Sequence, residues 1–193
     1  MKKYLVIGNP INHSLSPDLH NYWLKKNKIQ GTYEKKKLNT SEFKNLFLKI
    51  KNKEINGVNV TVPFKQDVIP YLDDLSIEAK KTQSVNTIYL NNDKIIGENT
   101  DIIGFEHAIK DTDYDVVGKK ILILGAGGVV PSLIYALNKM KVLNVTLCNR
   151  TKAKAEKLKD IFDNLTVIDW GAIPDIDMVI NATSVGLKKE DKL

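Results

Sequence analysis

Apolar residues along this chain fall into two rhythms. Short apolar runs end on glycine, asparagine or proline, and longer stretches repeat their apolar positions every three to four residues, the alternation of strands with crossover helices. Strands are expected over residues 4–8, 32–38, 57–61 and 86–90, the last returning as 94–97 across the Asn91-Asn92-Asp93 turn. The spacing predicts helices over 16–26, 41–51, 76–81 and 101–109, with Ser16 capping the first and Pro17 as its first helical residue. The polar run Lys110-Asp111-Thr112-Asp113-Tyr114-Asp115 breaks the pattern and marks a boundary between two domains, 1–112 and 113–193. The fold class that follows is α/β.

The second half opens on a denser signal. Lys120-Ile121-Leu122-Ile123-Leu124 is a strand running into Gly125-Ala126-Gly127-Gly128, and from Val129 onward the spacing is helical. Strand, glycine turn and helix together suit a dinucleotide diphosphate: glycine lets the backbone approach closely, and the helix N-terminus offers free N–H groups. Val130 replaces the third glycine or alanine of the usual fingerprint, so a tight turn without ligand is the bland alternative. The next strand, 144–148, ends at Asn149-Arg150-Thr151, where a ribose-reading residue belongs. NAD-binding units place a carboxylate there, whereas an arginine suits the 2′-phosphate of NADP through paired N–H donors. Arg150 is the chain's single arginine, which favours a geometric role over mere solubility, and Lys154 stands one helical turn further on. NADP is therefore the expected cofactor.

Composition narrows the remaining classes. With 42% hydrophobic and 27% charged residues in 193, the chain has enough apolar material for two folded cores. The apolar run after Met1-Lys2-Lys3 stops at Gly8-Asn9-Pro10, too short for a signal peptide or a membrane span, so a buried first strand is expected. Cys148 is the only cysteine and sits in a strand, consistent with a cytoplasmic protein. A net charge of +6 raises the question of nucleic acid, but the lysines are scattered or lie on helix faces, as at Lys152, Lys154, Lys157 and Lys159. Without a recognition motif that charge reads as solvated surface that also attracts anionic metabolites, with no nucleic-acid or membrane partner. His13, His20 and His107 show no metal-ligand spacing, so no metal is expected.

Three clusters in the first half exceed what packing requires. They are Gly8-Asn9-Pro10-Ile11-Asn12-His13-Ser14-Leu15-Ser16-Pro17, then Asn59-Val60-Thr61-Val62-Pro63-Phe64-Lys65, then Asn86-Thr87 with Gly97-Glu98-Asn99-Thr100-Asp101. Taken in order with the glycine turn, Asn149-Arg150-Thr151 and Asn181-Ala182-Thr183-Ser184-Val185-Gly186, they closely resemble shikimate dehydrogenase over essentially the whole chain. The resemblance implies an N-terminal α/β substrate domain followed by a Rossmann-like NADP-binding domain, and NADP-dependent reduction of 3-dehydroshikimate to shikimate on the path to chorismate and aromatic amino acids. It implies that Ser14 and Ser16 hold the substrate carboxylate, that Asn59, Thr61, Asn86 and Asp101 contact ring hydroxyls, and that Lys65 with Asp101 forms the catalytic pair in a cleft between the domains. Gly125, Ala126, Gly127, Gly128, Val129, Asn149, Arg150, Thr151, Lys154, Thr183 and Ser184 are the cofactor-binding set. The chemistry is coherent apart from the family: hydride delivery to a ketone builds negative charge on oxygen, which an ammonium such as Lys65 can stabilise and protonate.

The chain departs from the family pattern in two places. Ile102 stands where glycine usually follows the Asn-Thr-Asp triplet, and the sequence stops at Leu193, before the family's substrate-binding glutamine and final helix. The expectation is a Rossmann-like domain truncated at its C-terminus, with Lys188 to Leu193 as a surface loop and an open sheet edge that invites pairing with another chain, a homodimer included. Two alternatives follow: a quinate/shikimate dehydrogenase, and an inactive shikimate-binding module.

Overall fold

The computed structural model describes residues 1–186, so the expected terminal loop at Lys188 to Leu193 lies outside the described residues. The chain divides into two compact units at Thr100/Asp101. That is twelve residues before the expected boundary at 112/113. The helix that follows Thr100 packs against a helix of the second unit, so its apolar face assigns it there despite the polar run after it.

In the first unit the strands are β1 (Lys2–Gly8), β2 (Gly31–Lys37), β3 (Gly57–Val60), β4 (Asp74–Leu75), β5 (Thr87–Asn91) and β6 (Lys94–Glu98). They form one sheet in the order β2-β1-β3-β5-β6-β4. β1 runs parallel to β2 and β3, whereas β5 is antiparallel to both β3 and β6. The hairpin turns on Asn92 and Asp93, with φ of 46° and 61°, the left-handed pair that a two-residue turn demands and that Asn and Asp tolerate best. The helices are α1 (Ser16–Lys26), α2 (Phe43–Lys51) and α3 (Ile77–Thr82).

Alternation along the strands sorts the two faces of this sheet. Leu5, Ile7, Val58, Val60 and Ile88 join Phe43, Leu46, Phe47 and Ile50 of α2 in one closed core. The opposite face carries Tyr4, Val6, Gly57 and Asn59, and α1 covers it only in part, since no residue of α1 is fully buried. Ser16 does not cap α1 as expected. It is the first helical residue, after Leu15, and its N–H is taken by the Ser14 hydroxyl two residues earlier at 3.3 Å.

The second unit holds α4 (Asp101–Lys110), β7 (Lys120–Leu124), α5 (Val130–Lys139), β8 (Asn144–Cys148), α6 (Lys152–Glu156), β9 (Leu165–Ile168) and β10 (Met178–Asn181). Its sheet is parallel throughout, in the order β10-β7-β8-β9. This is the Rossmann-like arrangement, in which the central β7 and β8 are buried while β9 and β10 at the edges are only partly so. Ile121 and Ile123 of β7, Ile134 and Leu137 of α5, and Leu147 of β8 are almost fully buried together. β9 and β10 were not legible as strands because each is only four residues long and includes a polar one, too short for a pattern to mark it.

Candidate functional site

In the first unit, topology gathers the three motifs at one edge of the sheet. β1 and β3 end there, β5 begins there, and β6 returns there, as the pairs Ile7 with Val60, Asn59 with Thr87, and Thr87 with Glu98 show. Ser14 and Ser16 follow β1, half-buried. Thr61 follows β3, its N–H donating to the Ile7 carbonyl at 2.9 Å. Gly8 is required beside it: a Cβ at Gly8 would stand 2.7 Å from the Thr61 methyl. Lys65 comes next and is 7% exposed, and its carbonyl accepts the Val85 N–H at 2.9 Å, which fixes the lysine's backbone one residue from Asn86.

The asparagines of this edge are held by a network of hydrogen bonds. The Tyr33 hydroxyl donates to Asn59 Oδ1 at 2.6 Å, and Asn59 Nδ2 donates to Thr87 Oγ1 at 3.1 Å and to the Asn86 carbonyl at 3.3 Å. Asn86 Nδ2 donates to Thr100 Oγ1 at 3.0 Å, and Asn86 Oδ1 accepts the Thr100 N–H at 2.9 Å. Tyr33 is 5% exposed, so burial pushes its hydroxyl above the ordinary tyrosine range, opposed by a hydrogen bond with Ser16. Its ring stacks on His20 at 4.2 Å, and burial lowers the His20 imidazole from its usual 6.5. Both backbone polar groups of Tyr33 are bonded by the Asn21 amide, which ties α1 to β2. A cavity of about 470 Å³ opens under α1 and meets this network only at Tyr33, Asn59, Thr87 and Thr100. Its other walls are largely apolar, so Ser14, Ser16, Thr61, Lys65 and Asn86 stand outside it.

Asp101 is the first residue of α4, in the second unit. Ile102, where the family pattern has glycine, is fully buried in this helix. Among the described residues no group of three or more His, Cys, Asp or Glu could hold a metal, and no helix is long and apolar enough to cross a membrane.

In the second unit, the parallel register places the ends of β7, β8 and β9 at one edge, with Leu124, Cys148 and Ile168 in line. A cavity of about 350 Å³ there is lined by Gly125, Ala126, Gly127, Asn149, Arg150, Thr151, Lys154, Thr183 and Ser184, all of them expected, and by Trp170, Ala182 and Val185, which were not. Gly128 and Val129 sit in the turn before α5 and do not line it. Gly125 has φ +110°, and a Cβ on it would stand 2.8 Å from the Ala182 carbonyl oxygen, so only glycine fits. The Val130 side chain, in place of the fingerprint's third small residue, is fully buried in the core at the start of α5. Arg150 and Lys154 are exposed, and the Asn149 amide donates to the Thr151 carbonyl at 2.8 Å, shaping the turn that presents the guanidinium. Thr183 is fixed by Asn181, whose Oδ1 accepts both its N–H and its hydroxyl. A glycine cradle beside a helix N-terminus, with one planar guanidinium and one ammonium, fits the diphosphate and 2′-phosphate of NADP.

Comparison with known proteins agrees with this geometry. Residues 6–88 match the model of the shikimate dehydrogenase substrate binding domain, and residues 106–187 match that of shikimate / quinate 5-dehydrogenase. The shikimate dehydrogenase (NADP(+)) of Pelagibacter ubique is 56% identical over 192 residues, covering 100% of this chain and 72% of that protein. The crystal structure of shikimate dehydrogenase from Aquifex aeolicus superposes with a TM-score of 0.92 at 42% identity, over 100% of this chain and 73% of that one. Shikimate 5-dehydrogenase from Thermus thermophilus, solved in complex with NADP(H) and shikimate, gives a TM-score of 0.86 at 32% identity, over 97% of this chain and 70% of that one.

Proposed function

The chain belongs to the shikimate dehydrogenase family, whose curated members here are NADP-dependent oxidoreductases, and from that membership we propose that it catalyses the reversible reduction of 3-dehydroshikimate to shikimate. The observation that carries this reading is the sheet edge at which Ser14, Ser16, Asn59, Thr61 and Asn86 converge with a nearly buried lysine, Lys65. A small acid bearing several hydroxyls needs such a row of neutral donors and acceptors, and its carbonyl needs one cation.

In this reading NADPH supplies the hydride that converts the ketone carbon to an alcohol carbon. The Ser14 and Ser16 hydroxyls hold the substrate carboxylate. Asn59, Thr61 and Asn86 orient the ring hydroxyls, the two asparagine amides being preset by Tyr33, Thr87 and Thr100. The Lys65 ammonium stabilises the charge building on the carbonyl oxygen and gives it a proton, and in the reverse direction the neutral amine takes that proton back. Asp101 is assigned to the same chemistry on its correspondence to the family motif. Arg150, with Lys154, reads the 2′-phosphate, while the glycine turn receives the diphosphate.

The expected small-molecule partners are shikimate or 3-dehydroshikimate and NADP. We place the protein in the cytoplasm on its buried, unbridged Cys148, and expect at most association with a second copy of itself. No recognition motif accompanies the lysines, so we expect no nucleic-acid partner.

The test is the ratio of rates with NADP and NAD on shikimate and on quinate, run beside calorimetric titration with shikimate. A preference for NADP and shikimate supports the reading. Preference for NAD and quinate would make it a quinate/shikimate dehydrogenase, and shikimate binding without turnover would make it a binding module. Arg150→Ala should weaken NADP by roughly ten- to a hundredfold, the scale of a charge-assisted contact, while leaving NAD nearly unchanged.

A further inference from the structure

One large side chain at the cofactor edge has no part in the scheme above. Trp170 lies two residues beyond the end of β9, just as Arg150 lies two residues beyond the end of the neighbouring β8, and the two strands end in register. Both residues line the same cavity. Trp170 is 54% exposed, although an aromatic of this size ordinarily buries most of its surface.

The backbone that carries it is held in place. The Asp169 carbonyl accepts the Cys148 thiol at 3.5 Å and the Ala172 N–H at 3.1 Å. The Asp169 carboxylate accepts the Lys152 ammonium at 2.7 Å, and Gly171 completes the turn with φ +92°. An exposed indole on an anchored turn is a preformed flat apolar surface.

Chemical connectivity says what such a surface would meet. The 2′-phosphate and the base hang from the same ribose, so a phosphate held at Arg150 leaves the purine one sugar ring away, beside the next strand end. We propose that Trp170 is the adenine platform of the cofactor site, its indole stacking on the purine of NADP. This rests on the cofactor reading above and adds the residue that recognises the base. Stacking contributes affinity without regard to the 2′-phosphate, so Trp170 sets how tightly either dinucleotide is held while Arg150 sets which is preferred.

The probe is adenosine 2′,5′-bisphosphate, which carries purine and 2′-phosphate but no nicotinamide. In a Trp23→Phe background Trp170 is the only tryptophan, and its fluorescence should be quenched with the same saturation curve that calorimetry gives. Trp170→Ala should weaken the probe about thirtyfold, the middle of the range for one stacked base, and Trp170→Phe should recover most of that loss. Arg150→Ala should weaken the same probe and leave 5′-AMP untouched, whereas Trp170→Ala should weaken both. Equal binding by the wild type and Trp170→Ala, or saturation without a change in Trp170 emission, overturns the platform. Failure of the wild type to bind the probe at all overturns the cofactor reading with it.

Discussion

The two edges that carry the candidate chemistry are built in opposite ways. At the edge of the first sheet, neutral side chains bind one another before any substrate arrives, through the chain of contacts from Tyr33 to Asn59 to Thr87 and from Asn86 to Thr100. At the edge of the second sheet, glycine backbone and a helix N-terminus make the floor, and Arg150, Lys154 and Trp170 stand exposed around it. Hydroxyl groups are told apart by the angle and polarity of single hydrogen bonds, so their readers must be held rigid. A phosphate is met by the free N–H groups of a helix N-terminus and by the paired donors of a guanidinium, which need no prior side-chain network. One site invests in order beforehand and the other in charge and shape.

The largest effect should come from the first edge. Lys65→Ala should lower turnover by about 10²- to 10⁴-fold, the usual scale for losing a general acid, with NADPH binding nearly unchanged by fluorescence titration. A loss of cofactor affinity of the same size would mean that the two edges are not separable in this way.

Gly125→Ala probes the other edge. The added methyl would meet the Ala182 carbonyl and the residue would keep a φ that alanine resists, at a cost of about 2–3 kcal/mol. Hydrogen exchange should speed up in β7 and α5 and stay unchanged in β1 and β3, with NADPH binding lost. Uniform acceleration across both units would show that they unfold as one.

Tyr33→Phe sharpens the first half of the comparison. It removes the donor to Asn59 Oδ1 and should cost about 1 kcal/mol of stability, with shikimate affinity falling up to about tenfold as the amide loses its fixed orientation. NADP affinity should not move, as paired titrations would establish. Unchanged shikimate affinity would mean that Asn59 holds its position without the tyrosine.

The smallest effect concerns His20, which stacks beneath that tyrosine. Burial lowers its imidazole in the folded state, so between the folded value and about 6.5 the unfolded chain binds more protons. Stability of the first unit should therefore be intact above about pH 6.5 and fall modestly as pH drops through that value, levelling off below the folded one. His20→Phe, which keeps the stack but cannot titrate, should flatten thermal melts recorded from about pH 7.5 to 5.5.

Local elements and the glycine turn were read well from the chain because their causes are local. The strand Lys120–Leu124, the glycine turn and the strand Asn144–Cys148 are specified by neighbours in sequence, and the helix Ser16–Lys26 by its spacing and Pro17. Tyr33 offered no such signal: it lies in a strand between Thr32 and Glu34, and only the register of β2, β1 and β3 lets its hydroxyl reach across to Asn59. Trp170 was equally silent, since it gains meaning from β9 ending beside β8. The boundary moved to Thr100/Asp101 because the helix after it is claimed by packing on α5, which no polar run can announce.

By itself, then, the sequence determined the α/β class, most of the strands and helices and the glycine turn, because turns and periodicity act over a few residues. The tertiary structure alone decided the mixed order of the first sheet, the common edge that brings Asn59 to Asn86, and the partners that fix or flank the reactive groups. Those depend on which strands pair and in what register, a choice made by burying two faces at once over separations of many tens of residues.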